Sequence, residues 1–150
     1  MIATTVGYDV VFVAHVVVAL GVVVVTVGLR AAAASVRPGA ERAELRRRFP
    51  DRTNWAARVL HLLPVTGVAL SLMGGRDVSF ARAWVGAGVA IYVLLAFWLE
   101  ARVLPVERSL SRTVHGTGDV DWAIATTLGR RLDGVLVLLV LAVVTMVVQY

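Results

Sequence analysis

Two histidines lie inside long apolar segments, where an imidazole needs a partner. His15 falls about two helical turns into the first of these segments, and Ala19, Val22 and Thr26 continue its helical face. An ionisable side chain inside a membrane is costly and commonly marks an ion path, a ligand or a cofactor. A neutral imidazole can coordinate a metal through one ring nitrogen while the other donates to a neighbour. His15 is therefore the first candidate metal and cofactor ligand; the structural alternative is an imidazole satisfied by a nearby carbonyl or hydroxyl.

A second group of candidates lies toward the opposite side of the membrane. His61 is in the second apolar segment, Arg58 precedes it by one turn, and Glu100 lies near the end of the third segment. Glu100 can pair with Arg58 or with Arg130 across a bundle, which would make the group a set of neutralised interfacial charges. The alternative is a rim that binds anions, such as lipid head groups or haem propionates. The helical rise separates His61 from His15 by roughly 10 Å along the membrane normal, too far for both to bind one metal ion.

Four apolar segments must position these side chains. The chain has 150 residues, of which 59% are hydrophobic, and the apolar residues are concentrated in segments separated by polar stretches. About 20 consecutive apolar residues suffice to cross a bilayer as a helix. The sequence therefore predicts an all-α, polytopic membrane protein, a single bundle of four transmembrane helices at about 8–29, 55–73, 80–104 and 130–149. A cleaved signal peptide is the alternative for the first segment, which lacks the preceding Arg or Lys and is too long.

Small residues and prolines predict how these helices meet and end. Because lipid gives no hydrophobic drive for association, helix contacts in membranes favour residues that let backbones approach closely. The residues expected at such contacts are Gly67, the third-segment stripe Ala83, Ala87 and Ala90, and the first-segment stripe Ala14, Gly21 and Gly28. Pro64 is expected to kink the second helix, and Pro105 to end the third one and begin a polar loop.

The distribution of arginine predicts the orientation. All 15 basic residues are arginine, and most lie in the loops after the first and third apolar segments. The positive-inside rule places both loops in the cytoplasm and both termini outside, in the cell inner (plasma) membrane. The first loop is expected to attract anionic lipid head groups, so the net charge of +5 reflects topology rather than binding of nucleic acid. Cysteine is absent, which excludes disulfides and thiolate metal sites.

The order of several features resembles a known group of membrane proteins. The features are His15, the arginine-rich loop, LLPVTGVAL at 62–70, Trp84 before the third helix, and ARVLPVERSL around Pro105. The chain resembles the small four-helix bacterial membrane proteins around the CopD copper-resistance family and the HemJ-type protoporphyrinogen oxidases, including uncharacterised families of integral membrane proteins. This resemblance implies haem b with His15 as an axial ligand. HemJ-like sequences also have a third-helix histidine, which IYVLLAFWLEARVL lacks, so oxidase activity is not expected.

Three functions are consistent with the sequence. In the first, the protein is haem-associated or redox-linked, His15 binds the iron, and Arg76 and Arg82 hold carboxylates on the outer side. In the second, it is a structural or accessory subunit without a cofactor, within a homo-oligomer or a larger membrane complex. In the third, it is a small transporter or ion pathway that uses His15, His61 and Glu100. The sequence contains no recognisable phosphate loop, zinc-protease motif or catalytic triad, so no enzyme activity is predicted.

Overall fold

The first helix is much longer than the bilayer requires. The structure is a computed structural model that describes residues 2–73 and 82–148, with side chains from residue 6 onward. Helix α1 (Ile2–Ser35) has 34 residues and is therefore about 50 Å long, against about 30 Å for a hydrocarbon core. It extends the helix predicted at about 8–29 in both directions. Its valine-rich sequence is stable as a helix because lipid forces the backbone to pair with itself.

The second segment begins with tighter helical geometry. A 3-10 helix (Ala56–His61) leads directly into α3 (Leu62–Met73). Asn54 caps the beginning, because its Oδ1 accepts a hydrogen bond of 3.1 Å from the backbone N–H of Ala57. Pro64 lies in the first turn of α3, where a missing N–H is tolerated. The segment therefore changes from 3-10 to α geometry just before Pro64, and the kink expected there stays a prediction.

The third segment continues through Pro105, contrary to the prediction. Helix α4 (Ala83–Trp98) leads into a π-helical turn (Leu99–Val103), and α5 (Leu104–His115) follows without a break. In the π turn, the N–H of Leu104 bonds to the carbonyl of Leu99, five residues back. Pro105 then occupies the first turn of α5, where its missing N–H is tolerated. The predicted helix end near residue 104 and the loop expected beyond Pro105 were therefore wrong.

The last helix begins earlier than predicted. Helix α6 (Trp122–Val147) begins after Asp121, whose carboxylate caps it by accepting a 2.8 Å hydrogen bond from the N–H of Ala123. The span predicted at about 130–149 is therefore only the later part of a longer helix. The apolar part of α6, from Gly134 onward, is shorter than the roughly 20 residues that a span requires.

Three helical stretches of the described chain are long and apolar enough to cross a membrane. They are Val6–Ser35, Ala56–Met73 and Ala83–His115. Many large apolar side chains on these stretches are exposed, for example Val13, Val17 and Leu72. Such exposure suits a lipid environment and would be unfavourable over this area in water. The chain is thus a helical membrane protein.

Helix α1 lies between two neighbours. It packs against α3 on one side and α6 on the other, and α4 packs mainly on α6. The face of α1 that continues from His15 is buried at Val22 and Thr26, as the sequence predicted. Buried residues of α6, among them Leu128 and Leu132, belong to the same apolar cluster. Most buried residues belong to the half of the bundle near the arginine-rich loop.

Small residues mark fewer helix contacts than predicted. Gly67 does lie against α1, since a Cβ built on it would be 3.7 Å from Cε1 of His15. Gly21 is similarly close to the side chain of Val59, at 3.9 Å. Gly28, in contrast, has nothing within 4 Å of a built Cβ, and Ala14 is exposed.

The alanine stripe of the third segment was a wrong prediction. Ala83 and Ala90 are exposed, and only Ala87 is partly buried. The buried residues of this segment are instead bulky, at Leu95 and Leu99. The buried positions of this segment are therefore bulky side chains rather than the alanine stripe.

The arginine-rich loop is folded onto the end of the third segment. Helix α2 (Arg42–Arg48) and Phe49, which is only 1% exposed, pack against α5 through Leu45, Leu110 and Val114. The Arg42 guanidinium donates to the carbonyls of Gly116 and Gly118, just beyond the end of α5. We refer to α2, the connecting residues 49–54 and α5 as the loop cap.

Candidate functional site

His15 is oriented by a hydroxyl on the neighbouring helix. Its Nδ1 lies 2.7 Å from Oγ1 of Thr66. The Thr66 hydroxyl also lies 3.2 Å and 3.1 Å from the carbonyls of Leu62 and Leu63. A hydroxyl has one hydrogen, and in a helix it is commonly donated to a carbonyl one turn back. Thr66 therefore accepts from Nδ1–H of His15, which leaves the lone pair on Nε2 available to a proton, a donor or a metal.

His61 belongs to a second site, formed with residues of the third segment. Its Nδ1 lies 3.1 Å from the Tyr92 hydroxyl, and its Nε2 lies 3.2 Å from Oε1 of Glu100. Arg58 donates twice to Glu100, from Nε to Oε1 at 3.0 Å and from a terminal nitrogen to Oε2 at 3.2 Å. We call Arg58, His61, Tyr92 and Glu100 the His61 cluster. The Arg58 guanidinium also lies 5.4 Å from the ring centroid of Trp55.

Two irregular backbone segments bring this cluster together. The 3-10 helix has three residues per turn, so Arg58 and His61 lie directly one above the other. Glu100 lies in the π turn, a geometry that often occurs at functional sites. Glu100 pairs with Arg58, which is one of the two partners that the sequence suggested, while the other, Arg130, is exposed. The sequence analysis foresaw neither irregular segment.

The hydrogen bonds of the His61 cluster assign its protons. Both Glu100 oxygens accept from Arg58, so Glu100 is a carboxylate and Nε2 of His61 must donate to it. In neutral His61 the lone pair is then on Nδ1, and the Tyr92 hydroxyl donates to it. A second proton can bind Nδ1 only when that hydroxyl turns and accepts. Tyr92 was not identified as a candidate from the sequence, although its polar hydroxyl within an apolar helix could have identified it.

The two histidines lie at different levels of the bundle, and their separation across the membrane stays a prediction. Thr66, the partner of His15, is five residues after His61 and so roughly 7 Å further along the segment. Among the described residues, no group of three or more His, Cys, Asp or Glu side chains could hold a metal ion.

Charged and indole groups join α6 to its neighbours. Arg30 of α1 donates from Nε to Asp133 at 2.8 Å, and Trp98 of α4 donates from Nε1 to the carbonyl of Arg131 at 2.9 Å. A Cβ built on Gly134 would be 3.3 Å from the Trp98 ring, so the indole requires a small residue there. The side chain of Arg131 donates to the carbonyl of Arg102. Asp133 and Arg131 of α6 thus have partners on neighbouring segments, whereas Arg130 is exposed.

The loop cap contains polar contacts that the sequence analysis missed. Glu107 is only 8% exposed and accepts a 2.7 Å hydrogen bond from Nδ2 of Asn54. His115 is not simply solvated, because its Nε2 lies 3.0 Å from the Phe49 carbonyl. On the cap surface, the Arg48 hydrogen bond and then the Arg47 charge lower the pKa of Glu44 below its ordinary value.

The residues expected to hold haem are only partly described. His15 has the features of an axial ligand: a part-buried ring, a hydrogen-bonded Nδ1 and an available Nε2. Arg76 lies outside the described residues. Arg82 begins α4 and already interacts with another group. Two depressions of the described surface, of about 550 and 410 Å³, lie near the arginine-rich loop, and neither is lined by His15. The fit to haem therefore rests on a single coordinating nitrogen.

No family model, curated protein or solved structure matches this chain. The resemblance to the CopD and HemJ-like group thus stays a prediction from the sequence, and the site must be interpreted from its own geometry.

Proposed function

We propose that this chain is a four-span membrane protein that conducts protons through the His61 cluster. The observation that carries the proposal is His61 itself, hydrogen-bonded on one side to a phenol and on the other to a carboxylate. Chains of His and acidic side chains form proton relays inside membranes, and here the Tyr92 hydroxyl extends the chain on the other side of His61. His61 takes a proton on Nδ1 when Tyr92 turns, and releases one from Nε2 toward Glu100.

The proposed topology places α6 as the fourth span. The Arg30–Asp133 pair and the contact of Arg131 with a backbone carbonyl reduce the cost of charges in that helix. Exposed Trp55 and Trp122 suit one membrane interface, next to the arginine-rich loop. The loop cap then lies in the cytoplasm, both termini lie outside, and the His61 cluster lies in the inner half of the membrane.

Proton flux into liposomes containing the purified protein tests this function. With a pH-sensitive dye inside and a potassium diffusion potential, the wild type should acidify the lumen faster than protein-free liposomes do. Tyr92→Phe keeps the ring and removes the hydroxyl, and it should slow the flux by roughly tenfold or more. Thr145→Val removes a hydroxyl that bonds only within α6 and should leave the flux unchanged. Wild-type flux equal to the protein-free rate would overturn the proposal and leave a structural or accessory role.

A haem-associated function is the second candidate, and the His15–Thr66 hydrogen bond is the observation that favours it. A ligating histidine usually donates its other ring N–H to a neighbour, which fixes the tautomer. His15 would bind through Nε2, and the side chains of Arg76 and Arg82 would hold the carboxylates. When bound, haem would supply redox chemistry.

The absorption spectrum of protein purified after expression with added haem tests this candidate. A Soret band that His15→Ala abolishes and His61→Ala retains would support it. A colourless wild-type protein would refute it, and His15 would then serve to join α1 to α3.

A further inference from the structure

A groove lies where α1 passes the beginning of the second segment. It has a volume of about 410 Å³, and its floor is made by Gly28, Leu29 and Ala32 on one side and Ala56 on the other. A Cβ built on Gly28 would meet no atom within 4 Å, so the groove is open above that glycine. The floor of the groove is thus apolar and built mostly from small residues.

The groove ends in a cationic side chain. Arg48 lines it and donates from Nε to Oε1 of Glu44 at 2.9 Å. Among the described residues, neither terminal nitrogen of Arg48 has a recorded hydrogen bond, so two donor groups remain for a ligand. Asn54 also lines the groove, but its side chain already bonds to Glu107 and the Ala57 N–H, which fixes the wall. The polar end of the groove therefore consists of the Asn54 side chain, held by its own hydrogen bonds, and the Arg48 guanidinium.

The charge of the surrounding sequence and the position of Trp55 both indicate what the groove binds. The sequence from 37 to 58 carries an excess of arginine over Asp and Glu, which attracts anions. Trp55, 73% exposed, is adjacent to the groove at Ala56, as expected for an indole at head-group level. A soluble anion would contact Arg48 and leave the apolar floor uncovered. An amphipathic anion would place its charged group at Arg48 and its apolar part along the floor of the groove.

We infer that this groove binds one acidic phospholipid of the adjacent leaflet, with an acyl chain along Gly28 and the phosphate at Arg48. The site is independent of the proton pathway, because it shares no residue with the His61 cluster. This site differs from a general attraction of the arginine-rich loop for lipid, because binding would depend specifically on Arg48 and on the space above Gly28.

Two matched pairs of variants test the site. Arg48→Gln and Arg47→Gln each remove one charge and one contact with Glu44, but only Arg48 lines the groove. Gly28→Phe fills the groove, whereas Gly86→Phe places the same side chain in open space on α4. Binding of phosphatidylglycerol to the delipidated protein is measured by native mass spectrometry, with phosphatidylcholine and inorganic phosphate as competing probes.

We expect only the two groove variants to lose phosphatidylglycerol binding. Arg48→Gln and Gly28→Phe should each weaken phosphatidylglycerol binding roughly tenfold, while Arg47→Gln and Gly86→Phe change it little. Neither phosphatidylcholine nor inorganic phosphate should displace the lipid. Equal losses for Arg47→Gln and Arg48→Gln would overturn the inference in favour of diffuse attraction, and displacement by phosphate would show a plain anion site. Unchanged binding in Gly28→Phe would show that the groove holds no chain.

Discussion

Gly67 provides a size-graded test of how α1 meets α3. A Cβ built there lies 3.7 Å from Cε1 of His15, within the optimal range for carbon–carbon contact of about 3.5–4.0 Å. Gly67→Ala therefore fits without movement and, because alanine favours helix, should leave the melting point unchanged or raise it. Gly67→Leu adds carbons beyond that contact and must displace the His15 ring or the whole helix.

The cost of Gly67→Leu follows from two losses. Overpacking typically costs about 1–3 kcal/mol, and loss of the 2.7 Å hydrogen bond between His15 and Thr66 adds about 1 kcal/mol. We therefore expect about 2–4 kcal/mol less stability on unfolding by SDS in mixed micelles, followed by circular dichroism. Gly86→Leu is the control, because a Cβ built on Gly86 meets no atom within 4 Å. If Gly67→Ala proves as harmful as Gly67→Leu, or if Gly67→Leu is harmless, the described contact is wrong.

Three further predictions concern the loop cap and the topology. In whole cells, a cysteine replacing Arg76 should react with an impermeant reagent from outside, and one replacing Arg47 should not; the reverse pattern would invert the topology. Phe49→Ala should lower stability by about 3–5 kcal/mol in the same SDS assay, since that ring is fully buried; a loss under 1 kcal/mol would contradict its packing on α5. Because the pKa of Glu44 is lowered in the folded state, its stabilising contribution is present above its unfolded pKa and is lost as pH falls through the folded value. NMR titration of Arg48→Gln should therefore show the Glu44 pKa shifted upward, and an unchanged value would refute the pairing.

The helical membrane character and several partners were predictable from the sequence because they depend on composition and periodicity. Apolar segments long enough to cross a bilayer can be identified by length, and the face that links His15 to Val22 and Thr26 follows from 3.6 residues per turn. The pairing of Glu100 with Arg58 was foreseeable because a charge within an apolar helix favours a nearby counter-charge.

The irregular backbone was not predictable in the same way. Pro105 was expected to end a helix, but a π turn places it in the first turn of α5, and that turn depends on tertiary packing rather than on local sequence. The prediction from the alanine stripe was wrong because small side chains permit close helix contact but do not require it. The loop cap was missed because its apolar residues, Leu45 and Phe49, are scattered among arginines and bury only against a distant part of the chain.

The composition of the loop cap has a consequence for biosynthesis. Leu45 and Phe49 leave the ribosome early, whereas their covering partners Leu110 and Val114 follow only after the third segment has been made. In the proposed topology, an apolar helix face thus remains uncovered on the cytoplasmic side while two further spans enter the membrane. The contact of Arg42 with the Gly116 carbonyl can form only after residue 116 has been synthesised, so completion of the loop cap belongs to a late stage of translation.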